Sequence, residues 1–181
     1  GTTEVAVLSL GGVVVSQSSR IGGDELDEAV VQFMKKEHGL TIGSRSAEEI
    51  KMALGSAVPL VDEVRAEVRG RDLVSGLPRR LVISSSEVRE AIVEPVASIV
   101  DTVKSTLDRT PPELAADIME NGIVLAGGGA LLVGLRELVE AETGMPVRLA
   151  PDPHLAVVLG AGRALEEFDL YGELILSDGF E

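Results

Sequence analysis

The sequence predicts an α/β fold, with one core of alternating strands and helices interrupted by a smaller inserted α/β subdomain. Three observations predict it. Short β-rich runs alternate with helical stretches along most of the chain. Apolar residues make up 45% of the 181 residues and aromatics only 2%, so a sizeable core must be built from Val, Leu, Ile and Ala. The segment 22–87 is more polar than its flanks, with short elements and several glycines. Residues 1–21 and 88–170 therefore form the expected core, residues 22–87 the insertion, and residues 171–181 (YGELILSDGFE) a loose tail.

The elements follow in order. Val5 to Leu10 and Val13 to Val15 are β-rich runs split by Gly11-Gly12, the pattern of a hairpin. Asp24 is a good N-cap for a helix over residues 25–38, closed by Gly39. Ser46-Ala47-Glu48-Glu49 has the capping-box pattern and opens a helix to about Leu54. Val64, Ala66 and Val68 alternate with charged residues as in a half-solvated strand, and Leu81-Val82-Ile83 is another strand. Ser84 to Ser86 start a helical stretch to Asp108. Pro95 either kinks it or opens a second helix. Pro111-Pro112 begin a short helix ending at Gly122. Residues 123–126 are expected as a buried strand and residues 131–142 as a helix, followed by a strand at Val147–Leu149 and a last helix over residues 153–167.

Charge and composition exclude several classes. Thirty acidic residues against 16 Lys plus Arg leave a net charge of -14. That opposes a nucleic-acid partner and an electrostatic hold on anionic lipid, both of which want a basic face. With no cysteine there is no disulfide framework or thiolate site, which fits a reducing cytoplasm. No apolar run approaches the roughly 20 residues of a membrane span, and no signal-peptide pattern is visible. The chain opens with Gly1 in mid-strand, which reads as the later part of a longer protein.

Three motifs bear on chemistry. In NGIVLAGGGALLVGL, Gly127-Gly128-Gly129 connect a strand to a helix. Glycines there permit positive φ and let a ligand lie against the backbone, and the free amides can face an anion or a nucleotide. No Gly-Lys-Ser/Thr follows, so this is not a P-loop, and Leu132 stands where the dinucleotide fingerprint needs a third glycine. A tight turn with no ligand fits the spacing equally well. Glu48 and Lys51 share one helix face, with Gly55 a turn on. They could accept from ribose hydroxyls and lie along a base, or form an ordinary solvated face with an intrahelical ion pair. Gly1-Thr2-Thr3-Glu4 precede the first strand, where small hydroxyl residues can bind phosphate, position water, or simply cap the strand. The two histidines read as structural: His38 beside a helix C-terminus, His154 at a helix start without a partner.

Together GTTEVAVLSLGG, IGGDELDEAVVQFM, AEEIKMALGSA, GRDLVSGLPR, TPPELAADI and GIVLAGGGALLVGL resemble the MreB family of rod-shape-determining bacterial actins, in order over about residues 1–170. The resemblance implies the second half of the actin-like ATPase fold, a ribonuclease H-like core with a smaller subdomain inserted after the hairpin. It also implies that Gly1 and Thr2 end a phosphate loop, with Thr2 helping to hold the attacking water. Glu48, Glu49 and Lys51 would lie by ribose and adenine, and Gly127, Gly128, Gly129 and Ala130 would form the adenosine loop. The intact protein would bind ATP with Mg²⁺, the metal held mainly by residues outside this chain. It would polymerise head to tail and in pairs, at the inner face of the cytoplasmic membrane, and guide cell-wall elongation with a RodZ-like membrane protein and the wall machinery. Membrane contact would come from the N-terminal half. The family's first phosphate loop and its metal-holding and water-aligning acidic residues are missing here, so this chain alone is expected to lack appreciable ATPase activity. The GRDLVSGLPR segment (residues 70–79) is either a filament contact or an ordinary β-connection. Two other readings of the same superfamily are half of a sugar or acetate kinase and a non-hydrolysing adaptor of the cell-division type.

Overall fold

The computed structural model describes residues 1–169 and 171–172. Residues 171 and 172 are helical and so do not belong to a loose tail; the rest of the expected tail lies outside the described residues.

The chain begins with the antiparallel hairpin β1 (Thr3–Ser9) and β2 (Gly12–Ser19), irregular in register at Val7/Leu8. Leu10 and Gly11 both take positive φ, the requirement of a tight primed turn. Helix α1 (Gly23–His38) follows, buries Leu26, Val30 and Met34 at helical spacing, and stops at left-handed Gly39. Its N-cap is Gly22 and not Asp24: the Glu25 carboxylate turns back to accept from the Gly22 amide at 2.7 Å, while Asp24 faces Gly1. After β3 (Leu40–Thr41), helix α2 (Ser44–Leu54) starts three residues earlier than a Ser46 cap implies. Extended Gly43 caps it, because burial of Ala47, Ile50 and Leu54 draws the preceding turn into the helix.

Strands β4 (Arg65–Asp72) and β5 (Pro78–Ser84) make an antiparallel hairpin, with β3 on the outer edge of β4. Helix α3 (Ser85–Asp108) runs through Pro95 as one helix. The stripe Val88, Ile92, Val96, Val100 and Val103 is buried on both sides of the proline and holds the two halves in line. Its start is a capping box: Glu87 accepts from the Ser84 amide at 2.8 Å and hydroxyl at 2.7 Å. The His38 ring nitrogen lies 3.0 Å from the same carboxylate, so His38 ties the end of α1 to the start of α3, while Gly39 does the capping. Burial pushes the Glu87 carboxyl up, but Ser84 and His38 together hold it below its ordinary value.

The last third holds α4 (Pro112–Asn121), β6 (Ile123–Leu125), α5 (Leu135–Thr143), β7 (Val147–Leu149) and α6 (Ala156–Glu166). β6 pairs in parallel with β7. β6 is half-exposed, since Val124 faces outward, so the expectation of a buried strand over residues 123–126 fails. The expected helix over residues 131–142 also divides: Gly128–Leu131 is a single 3₁₀ turn, and α5 begins only at Leu135. Val133 is held extended by pairing with Ser56, its carbonyl accepting from the Ala57 amide at 2.7 Å, which no helix there would allow. One continuous cluster runs from α1 and α2 through α3 to Leu135, Val139 and Val147.

The β4–β5 turn is an ordered connection. Asp72 accepts from the Val74 and Ser75 amides and the Ser75 hydroxyl, and meets Arg79 at 2.9 Å. The Ser75 amide and hydroxyl, with Arg79, bring the Asp72 carboxyl down to about 2. Leu73, Val74 and Leu77 face outward.

Two predictions follow from these contacts. Ile92→Ala removes a fully buried side chain from the centre of α3 and should cost about 3 kcal/mol in urea unfolding at neutral pH. Asp72→Asn should destabilise at neutral pH. Because the fold favours the Asp72 carboxylate, that contribution is present above the ordinary value of 3.8 and fades as pH falls through about 2. Thermal melts of wild type and variant across this range should converge at the acid end; a constant gap would show that the turn does not depend on the charge.

A candidate nucleotide-binding surface

The glycine turn is built by its neighbours. Gly127 takes a φ of 87° that a side chain would strain, and its amide donates to the Pro153 carbonyl at 2.7 Å. Gly128 and Gly129 open the 3₁₀ turn, and a Cβ placed on either would meet nothing within 4 Å. Their backbone therefore borders open space, as a ligand lying flat on it requires. Ala130 is buried and anchors the turn. The residues fit a nucleotide approaching along the backbone, although the turn alone does not select adenine.

α2 is attached to the segment after this turn. Gly55 closes α2, where a Cβ would come within 2.4 Å of the Lys51 carbonyl and 3.2 Å of Leu132, so the close approach needs glycine. The Ser56–Ala57 pairing with Val133 completes the join. The structure thus brings the end of α2 against Leu132 and Val133, the residues that follow the Gly127–Ala130 turn.

At the other side, α2 is attached to α1. Lys51 does not pair with Glu48: it crosses to Asp27 at 2.8 Å and donates to the Gly23 carbonyl at 3.2 Å. Both side chains of the Lys51–Asp27 pair are mostly buried, at 15% and 14% exposure. The intrahelical pair of the solvated-face alternative is therefore absent, and another forms on the exposed face between Arg45 and Glu49 at 3.3 Å. Glu48 is exposed. Gly22, beside Lys51's anchor, packs so closely on Gly1 and Thr2 that a Cβ would lie 2.7 Å from the Gly1 carbonyl carbon. Gly1 and Thr2 are exposed at this junction, and Thr3 donates its hydroxyl to the Ile21 carbonyl at 2.7 Å.

Lys51 and Gly1-Thr2 thus meet at the start of α1, and α2 links that start to the segment that follows the glycine turn. The sequence reading missed Gly22, Gly23 and Asp27. The signal was present in IGGDELDEA: a glycine pair before a helix allows close approach, and Asp27 one turn in can answer a lysine on the next helix. Among the described residues, no group of three His, Cys, Asp or Glu is arranged to hold a metal.

Asp27→Asn or Lys51→Met leaves one largely buried charge without its partner and should cost about 2–3 kcal/mol, below the range for fully buried pairs. The double variant should recover a good part of that loss in a double-mutant cycle of denaturant unfolding. Additive losses would mean that the pair does not hold α1 to α2.

Comparison with known proteins supplies the context. The family model described as MreB/Mbl protein matches residues 1–173. The cell shape-determining protein MreB of Escherichia coli strain K12 is 51% identical over 179 residues, covering 98% of this chain and 51% of that protein. The cell shape-determining protein Mbl of Bacillus subtilis strain 168 is 44% identical over 169 residues, 93% of this chain and 51% of that protein. The crystal structure of MreB5 of Spiroplasma citri bound to ADP superposes with a TM-score of 0.89 at 36% identity, covering 95% of this chain and 52% of that one. The MamK double helical filament shares the fold, with a TM-score of 0.76 at 22% identity over 92% of this chain and 51% of that one. The chain spans about half the length of the curated relatives it matches. Its fold is the actin-like α/β fold of these structures, and the chain belongs to the MreB/Mbl family.

Proposed function

We propose that this chain forms one wall of the ATP-binding cleft of a bacterial actin that assembles into filaments guiding cell-wall elongation and rod shape. The observation that carries the reading is the open backbone of Gly128 and Gly129, joined through Leu132 and Val133 to α2 and through Lys51 to the start of α1. The nucleotide found with the Spiroplasma citri relative supports it. In this reading residues 1–21 and 88–170 are the core subdomain and residues 22–87 the inserted one.

The roles of the residues follow from their positions. Gly127 to Ala130 would receive the adenosine against bare backbone. Glu48 and Glu49, exposed on α2, would reach the ribose, while Lys51 would border the base from a position fixed by Asp27. Gly1 and Thr2 would face the phosphates, with Thr2 placed to hold water. Bound Mg-ATP supplies the phosphoryl group and the charge that a second, opposing wall must clamp. Residues outside this chain would supply that wall and most of the metal's ligands.

Self-association would use two exposed apolar turns. Leu8, Leu10 and Val13 project from the β1–β2 turn, and Leu73, Val74 and Leu77 from the β4–β5 turn. Two different surfaces meeting head to tail generate an open filament. No described helix is long and apolar enough to cross a membrane. The filament would lie at the inner face of the cytoplasmic membrane, with a RodZ-like membrane protein and the wall-synthesis machinery as partners.

Calorimetric titration of Mg-ATP tests the cleft. The 181-residue chain should give no heat even at millimolar nucleotide, whereas the longer protein containing it should bind. In that protein Gly129→Val should weaken binding at least about tenfold, or 1.4 kcal/mol, without lowering the melting temperature, because a side chain there meets only open space. Unchanged affinity would make the glycine turn a plain βα connection.

A further inference from the structure

Helices α3 and α5 do not close on each other along their outer sides. Between them lies a groove of about 260 Å³ that the nucleotide reading does not use. Its floor is the apolar stripe of α3, Ile92, Val96 and Val100, continued to the surface by Val93 and Ala97; Leu138 of α5 forms the facing wall. The end wall is Ser56–Ala57, pinned to Val133, so the groove is preformed.

The charges around it are one-sided. At the near end, Arg89 is already engaged: it bonds Glu63 at 2.8 Å and the Ser56 hydroxyl at 3.2 Å. At the far end stand Asp101 and Glu142, both exposed; Lys104 meets Glu142 at 2.9 Å, and no hydrogen bond or ion pair to the Asp101 carboxylate is found among the described residues. Glu90 and Glu94 are exposed on the same helix as the floor. The chain as a whole carries a net charge of -14, so its long-range field favours a basic partner.

We propose that the α3–α5 groove docks a basic amphipathic helix of a partner protein, independently of the nucleotide reading. The floor from Arg89 to Asp101 is about 18 Å long at 1.5 Å per residue, which suits roughly three turns of helix. Two helical walls with an apolar trough between them accept a third helix through anchors at i, i+4 and i+7. Leucine-like anchors would fill the trough over Val93 and Ala97, and lysines or arginines flanking them would meet Asp101, Glu94 and Glu142. A second copy of this chain is a poor occupant. Its longer helices are acidic or mixed in charge, and α6, the most apolar, carries a single basic residue, Arg163.

Fluorescence anisotropy tests this with a labelled leucine–lysine amphipathic peptide of about 14 residues. The controls are a scrambled peptide of equal charge and a leucine–glutamate counterpart. The titrations use both the 181-residue chain and the longer protein containing it. The amphipathic basic peptide should bind both proteins at least about tenfold more tightly than either control. Ala97→Trp, which fills the trough from its exposed side, and Asp101→Lys, a surface charge reversal, should each reduce that affinity by a similar factor. The melting temperature of Asp101→Lys should stay unchanged. Equal binding of the scrambled peptide would reduce the effect to the general field and overturn the proposal, as would indifference to both variants. Self-association in sedimentation that Ala97→Trp abolishes would assign the groove to a second copy. Binding by the chain but not by the longer protein would assign it to the rest of the same molecule. Either result overturns the proposal.

Discussion

Helix α3 must satisfy several neighbours at once, and the rest of the structure depends on its doing so. The hairpin β1–β2, helices α1, α2 and α5 and strand β5 all pack against it. A helix in that position needs a wide apolar face, and Val88, Ile92, Val96, Ile99, Val100 and Val103 supply it as one continuous stripe. With only 2% aromatic residues, no single large side chain can bridge a gap. The core therefore relies on close packing of branched aliphatics, where each lost methylene is felt. Pro95 survives inside the helix because burial on both sides outweighs the missing hydrogen bond.

Polar ties then fix what α3 leaves adjustable. Glu87 caps α3 and meets His38, so the end of α1 and the start of α3 share one carboxylate. Glu63 and Arg89 fasten the loop after α2 to the same helix, and Ser85 donates to Glu63 as well. Lys51 and Asp27 join α1 to α2 out of most of the water. The most buried ties lie between elements. Pairs within one element, such as Arg45–Glu49, are exposed and contribute little.

The candidate nucleotide surface inherits its shape from those ties. Gly22 and Gly55 are small because neighbouring backbone or side chains come too near for a Cβ, whereas Gly128 and Gly129 have open space before them. Glycine thus serves two different ends in one surface. The first kind permits close packing, and the second leaves room for something that is not protein. The apolar turns at Leu10 and Val74 are a third case, since folding alone gives no reason to expose them.

Local chemistry made much of this legible in the sequence. The Gly11 turn, the Gly39 cap, the Ser84–Glu87 box and the apolar stripe of α3 each depend on residues close in the chain, so pattern alone could locate them. The same holds for the α/β class and for the likeness to bacterial actins, carried by motifs in order. Most of the readings that failed depended on contacts distant in sequence. Val133 is extended because Ser56 lies beside it, which no window around residue 133 contains. Lys51 leaves Glu48 for Asp27 because two helices meet at that point. Asp24 gives up the cap because Glu25 and Gly1 compete for the groups around it. The sequence by itself determined which stretches could be strand, helix or turn, through propensity and periodicity. Only the tertiary structure decided which charge meets which and where the backbone stands open, because those depend on distances between segments that periodicity does not encode.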